Sequence, residues 1–241
     1  MLTRTARLPL ALAALLLLVL TACSSEDSGD DTTAGDPGTS EASAESSPTE
    51  SPNGAAAAGT CTYNPDGMDP AKKVDPPPAE PTETGKVDVT LDTNVGPIKA
   101  TLDAGTTPCT VNSFLSLAKQ DYFDATTCHR LTTEGIYVLQ CGDPTATGSG
   151  GPGYQYDDEL SGTETYPAGT LAMANAGPGT NGSQFFIVYE DSQLPPSYTV
   201  FGQVDPAGIK TVQKVAAKGT QDGGPDGPPK QPVEIANVKV S

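Results

Sequence analysis

Residues 24–59 contain almost no large apolar side chain; the stretch is Ser, Thr, Asp, Glu, Gly, Ala and Pro, with one Asn. Such a segment cannot bury enough surface to offset the entropy of ordering it, so any core must lie further along the chain. The same acidic, proline-rich character runs on to Gly85, stiffened at its far end by Pro76, Pro77, Pro78 and Pro81. Residues 23–85 therefore read as a disordered tether. Cys61 and Tyr63 stand out within it, and they suggest that part of 60–75 docks onto the domain C-terminal to it. Charge divides along the same line. Ser24–Gly85 carries 13 acidic residues against two lysines, a net of −11, while Lys86 onward carries 17 against nine basic, a net of −8. Binding to nucleic-acid phosphates needs a basic surface, so a nucleic-acid partner is excluded.

The first residues read as a targeting segment. Met1–Arg7 holds two arginines, and Leu8–Leu20 is a nearly unbroken run of Leu, Ala and Val. That run is shorter than the roughly 20 residues a membrane-spanning helix needs, and a basic start before a short apolar run is the pattern of a secretory leader, here residues 1–22. Leu20-Thr21-Ala22-Cys23 resembles a bacterial lipobox. The resemblance implies cleavage before Cys23, lipid on its thiol, and a protein anchored to the membrane outside the cytoplasm. There disulfides persist. Cys61, Cys109, Cys128 and Cys141 remain, and four cysteines allow three pairings.

Patterned sequence begins at Lys86. Val87, Val89 and Leu91 alternate with polar residues, as do Ile98, Ala100 and Leu102 beyond the turn Asn94-Val95-Gly96, which predicts a half-buried hairpin. Thr107-Pro108 looks like an N-cap followed by proline in the first helical turn, and Val111, Phe114, Leu115 and Ala118 continue at helical spacing to about Gln120. Strand patterns recur at Cys128–Leu131, Ile136–Gln140, Thr170–Ala174, Gln184–Tyr189 and Thr199–Val204. A second helix is expected at about Gly208–Ala217, and Val233, Ile235, Val238 and Val240 predict a closing strand. Many short strands with two helices suggest a closed, capped barrel.

Most catalytic constellations are absent from the sequence. His129 is the one histidine, no G-x-S-x-G elbow occurs, the glycine runs lack the Gly-Lys-Ser/Thr of a P-loop, and no cysteines have C-x-x-C spacing. The stretch Met173-Ala174-Asn175-Ala176-Gly177-Pro178-Gly179-Thr180-Asn181-Gly182-Ser183-Gln184-Phe185-Phe186-Ile187 is far more specific. It resembles the longest signature of the cyclophilins almost residue for residue. Cys128-His129-Arg130, Gln140-Cys141-Gly142-Asp143 and Val200-Phe201-Gly202 resemble the family's shorter motifs, in the same order.

The resemblance implies a mainly β fold, a closed eight-stranded antiparallel barrel capped by two α-helices, over residues 86–241. It also implies peptidyl-prolyl cis-trans isomerase activity on proline-containing polypeptides, by a monomer with no cofactor or metal. Rotating an X-Pro bond means losing amide resonance, against a barrier of about 18–20 kcal/mol. No nucleophile is required, only a donor near the proline nitrogen and a rigid apolar cup for the ring. By the same resemblance Arg130 is that donor, and Phe186, Val138, Leu194 and Tyr137 form the cup. Gln140 and Asn175 would bond the substrate backbone, Ala174 and Ala176 would line the adjoining groove, and Tyr198 would donate to the substrate carbonyl. His129 would be structural and hydrogen-bonded. A different class of protein, a non-catalytic proline-peptide adaptor, would use the same groove. The chain departs from the family pattern where Cys128 and Cys141 replace a Phe and a Gly, where Gln193 replaces a tryptophan, and where nine residues instead of seven separate Arg130 from Gln140.

If the hairpin between those motifs is centred between Glu134 and Gly135, Cys128 and Cys141 lie directly opposite, with Cα atoms about 4.5 Å apart, inside disulfide range. Cys61 would then pair with Cys109, pinning the end of the tether to the first helix. The competing arrangement is four free thiols.

Overall fold

The computed structural model describes residues 59–241. The expected leader, the expected lipidation of Cys23 and the part of the expected tether up to residue 58 lie outside the described residues. In chain order the elements are β1 (Asn64–Pro65), β2 (Lys86–Thr93), β3 (Ile98–Asp103), α1 (Pro108–Lys119), β4 (Thr126–Thr127), β5 (Arg130–Thr132), β6 (Val138–Cys141), β7 (Tyr154–Gln155), β8 (Thr170–Met173), β9 (Phe185–Val188), β10 (Val200–Val204), α2 (Pro206–Ala216), β11 (Asp226–Gly227) and β12 (Glu234–Val240). No helix among the described residues is long and apolar enough to cross a membrane.

The opening hairpin forms as its alternation requires. Leu91 pairs with Ile98, Val89 with Ala100 and Val87 with Leu102, which puts six buried side chains on one face. The antiparallel sheet then runs β11-β5-β6-β9-β8-β10-β3-β2-β12-β4. Its hydrogen-bonded ladder is a curled wall with two ends, so the expectation of a closed barrel is corrected to that extent. The segment 126–132 carries the wall across the gap: β4 pairs with β12, β5 pairs with β6, and between them Cys128 donates to Val233 O and His129 to Gln140 O.

Helix α1 buries Val111, Phe114, Leu115 and Leu117, with the Phe114 ring 5.0–5.6 Å from those of Phe123, Phe185 and Phe201. Its N-terminus is capped from a distance. Thr107 makes no side-chain cap, and its hydroxyl donates to Asp103 O instead. The Glu159 carboxylate accepts from the free backbone N–H groups of Cys109 (3.0 Å) and Thr110 (2.8 Å), where the helix dipole also favours negative charge. Helix α2 starts two residues earlier than its periodicity suggested, because Asp205 accepts from Gly208 N and Pro206 fits the first turn.

Residues 60–85, counted with the tether although Cys61 and Tyr63 suggested that part of 60–75 docks, are part of the folded unit. Cys61 is bonded to Cys109 of α1, and β1 pairs with β7. The Tyr63 ring lies edge-on to Tyr154 and Tyr156, each at 5.5 Å, and its hydroxyl donates to Cys109 O. Asn112 Nδ2 donates to Pro78 O, and Gln120 brackets the backbone of Asp75 with one bond in each direction. Composition undervalues such a segment, because side-chain-to-backbone bonds and a covalent link hold it in place of apolar area.

Cys128 is joined to Cys141 in the core, Cα to Cα 4.0 Å, but not from directly opposed positions. The ladder pairs Arg130 with Gln140 and Leu131 with Leu139, one residue out of the register expected. The bond instead spans the kink where the chain leaves β12 for β6.

Gly142 follows Cys141 at φ +91°, and a β-carbon there would sit 2.2 Å from Ser183 O. Both the backbone conformation and the contact exclude a side chain. Gly142→Ala is therefore expected to destabilise the fold by about 3 kcal/mol, read from urea denaturation midpoints.

Candidate active site

Strands β6, β8 and β9 are buried on both faces, and their alternation separates two apolar layers. Leu139, Leu171, Met173, Phe185 and Ile187 point into the core, while Val138, Ala172, Phe186 and Val188 form a second cluster on the opposite face. The half-buried residues Ile136, Ala174, Leu194, Tyr198 and Val200 pack against this second cluster. Outside it opens a cavity of about 160 Å³ lined by Arg130, Ile136, Val138, Gln140, Ala174, Asn175, Phe186, Leu194 and Tyr198. Eight of these nine residues are the ones expected from the sequence.

The ninth brings a correction. Tyr137 does not line the cavity: it packs against the main core with its ring 5.9 Å from Tyr189, and Ile136 takes the expected place. Gln140, Val138 and Ile136 are two apart and share one face of the strand, so Tyr137 must take the other. Ala176 lines the adjoining groove, where the sequence reading put it.

Arg130 is fixed on two sides. Its Nε and Nη2 donate to the two carboxylate oxygens of Asp226 at 2.8 and 2.6 Å, a bidentate pair, and Nη1 donates to Gln140 Oε1 at 3.3 Å. Asp226 holds the guanidinium charge up, and Arg130 in turn holds the Asp226 carboxyl below its usual range. The side chain remains 40% exposed and lines the cavity, and two of its five N–H groups have no partner among the described residues. No sequence pattern identified Asp226, which sits in a Gly- and Pro-rich loop without periodicity and is brought to Arg130 by the pairing of β11 with β5.

The polar line continues through the motif residues. Gln140 Nε2 donates to Gln184 Oε1 at 2.8 Å, and Gln184 Nε2 donates to the carbonyls of Gly148 and Gly150. That loop is wound around Asp143, whose buried carboxylate accepts from the backbone N–H groups of Thr145, Thr147, Gly148 and Gly150. Those donors hold its carboxyl below the usual range despite burial. His129 lies under the same loop, away from the cavity. Neither of its ring nitrogens has a hydrogen-bond partner, contrary to expectation, and burial pushes its pKa down, so it is held neutral.

On the far rim Tyr166 anchors Tyr198, accepting from Tyr198 N and donating to Tyr198 O, both at 3.0 Å, while the Tyr198 ring stands edge-on to Phe186 at 5.5 Å. The Asn175 side chain is already committed: Nδ2 donates to Ser197 O at 2.9 Å, and Oδ1 accepts from Gly177 N. Its main-chain N–H and C=O have no partner among the described residues, so they are what Asn175 offers a peptide.

An apolar cup on the outer face of a curled antiparallel sheet, with a clamped arginine beside it, defines a class. The family model described as "Cyclophilin type peptidyl-prolyl cis-trans isomerase/CLD" matches residues 87–240, and the chain belongs to that family. It is 48% identical over 195 residues to the "Probable peptidyl-prolyl cis-trans isomerase B" of Mycobacterium leprae, covering 75% of this chain and 66% of that one. To the protein of the same description from Mycobacterium tuberculosis it is 52% identical over 171 residues, covering 66% and 56%. The chain thus spans two thirds or less of these relatives' own length. The crystal structure of a Cryptosporidium parvum cyclophilin type isomerase in the presence of the dipeptide Ala-Pro superposes with a TM-score of 0.56 at 32% identity, covering 64% of this chain and 98% of that one.

Proposed function

We propose that the protein is a peptidyl-prolyl cis-trans isomerase that turns X-Pro bonds in exported polypeptides, assisting their folding outside the cytoplasmic membrane. The observation that carries this reading is the cavity in which Arg130 and Gln140 stand at the edge of an apolar wall of Val138, Phe186 and Leu194. The wall receives the proline ring. As the bond twists, resonance is lost and the proline nitrogen regains a lone pair, which an unspent N–H of Arg130 accommodates. A donor fixed in advance favours the twisted state over either planar one, and each 1.36 kcal/mol of that preference is worth tenfold in rate. The cup is complete within one chain, in keeping with a monomer. Magnetisation-transfer NMR on an Ala-Pro peptide with the full chain tests the reading: an enzyme speeds cis-trans exchange, whereas a proline-peptide adaptor shifts peaks on binding and leaves the exchange rate alone.

Asp226 acts in this scheme as a positioning residue. Asp226→Ala is expected to lower kcat/KM about tenfold, because the guanidinium stays but its plane is free to turn. Its pH profile distinguishes this from a structural role. The folded pKa of Asp226 is depressed, so the pair is complete above the ordinary carboxylate value and is lost as pH falls through the depressed one. Activity should hold to below the usual carboxylate range and then drop, and Asp226→Asn should remove that drop.

The extracytoplasmic setting is supported by two disulfides and by the lipobox-like Leu20–Cys23, which implies a lipid anchor at Cys23. Metabolic labelling with a radioactive fatty acid tests the anchor: label should appear on the protein and be absent from Cys23→Ser.

A further inference from the structure

The cup is continuous with a second, larger groove of about 490 Å³, and Gln140, Ala174 and Asn175 line both. This groove is lined by signature residues such as Ala176, Thr180 and Gln184, by Gly150 and Gly151, and by Asp66 and Met68. Those last two belong to the segment that Cys61–Cys109 and the β1–β7 pairing hold in place, and they precede the stretch 87–240 matched by the family model.

Asp66 and Met68 are unusual within this surface. Asp66 is the single charged residue lining the groove, and it has no ion-pair partner among the described residues. Its Oδ1 accepts from Met68 N at 2.8 Å, which fixes the carboxylate, and its Oδ2 lies over Gly151, where a β-carbon would be 3.8 Å away. Met68 is 59% exposed, the most exposed large apolar side chain among the described residues. Its thioether is soft and unbranched, suited to packing along a flexible stem. A fixed carboxylate two residues from an exposed methionine matches a side chain with an apolar stem and a cationic head.

We infer that residues 66–68 form a specificity wall that selects a lysine or arginine side chain in the peptide flank running from the proline cup into this groove. The occupant is substrate, because the groove shares three lining residues with the cup and the unpaired main chain of Asn175 lies between them, ready to pair with an extended peptide. This rests on the isomerase reading for the identity of that peptide.

The test uses the full chain and alanine-based peptides with one proline, in which a single lysine or glutamate is moved through the three positions on each side of the X-Pro bond. Exchange rates and binding are measured by NMR on the same samples. At one flanking position the lysine-to-glutamate ratio should be about two- to fivefold at low ionic strength and shrink in high salt, the scale of a partly exposed pair. Asp66→Asn should bring the ratio to one, Asp66→Lys should invert it, and Met68→Ser should weaken binding of the lysine peptide. No charge preference at any position, or a preference unchanged in Asp66→Asn, overturns the inference. Binding with an Asp66-dependent preference but no turnover would leave it standing and remove the enzyme reading instead.

Discussion

Replacing Arg130 with alanine is expected to lower kcat/KM for an X-Pro peptide by about 10²–10³, with the fold intact, the scale seen when one preorganised donor is lost from a transition state. The fold should survive because Arg130 is half exposed and its partner Asp226 is left in a solvated loop, not stranded in the core. The loss should fall on kcat more than on KM, since the ring still finds Val138, Phe186 and Leu194. Arg130→Lys should recover little. An ammonium group cannot satisfy both oxygens of Asp226 and the Gln140 carbonyl while still presenting a donor to the proline nitrogen, and it lacks the planar fork that these bonds fix. Exchange spectroscopy decides between the outcomes: wild-type turnover in a folded Arg130→Ala protein would sink the mechanism.

The parts of this site that the sequence revealed are those fixed by local periodicity or by contiguous motifs. Val87, Val89 and Leu91 announce a strand because their partners on β3 alternate in step, and Phe186 announces itself through the signature around it. The misreadings have two causes, a shift of local strand register and partners that lie far along the chain. Whether Tyr137 or Ile136 enters the cup depends on where the hairpin turns, and two extra residues moved that turn. Counting back by twos from Gln140 gives Ile136 directly, since Gln140 is held in register by Arg130. Asp226, which fixes the plane of the arginine, comes from a loop 96 residues later and has no pattern of its own. Glu159 capping α1 is the same kind of event, a carboxylate about 50 residues away displacing the local cap expected of Thr107.

The docked segment is the case where overall composition pointed to a tether while Cys61 and Tyr63 pointed to docking, and it leads to the second large effect. Removing the Cys61–Cys109 link as the double variant Cys61→Ala, Cys109→Ala is expected to cost about 4 kcal/mol of global stability, from the loop entropy of a 48-residue separation. The link acts mainly on the unfolded chain, so the bonds made by Tyr63, Asn112 and Gln120 do not soften that cost. They act on a different quantity. In the native state they still hold residues 63–78 against α1, so the segment should stay docked yet open locally far more often. Hydrogen exchange should therefore rise most at Cys61 N, which donates to Ala79 O, and at Asp66 N and Ala71 N, which donate to Gly153 O and Gly151 O, while β8 and β9 change only by the global amount. Urea denaturation of the two oxidised proteins gives the first number, and exchange mass spectrometry gives the second. A double variant with unchanged stability would mean that the disulfide's constraint on the unfolded chain is offset by strain in the folded one. Unchanged exchange at residues 61–71 would mean that the side-chain bonds alone fix the wall of the groove.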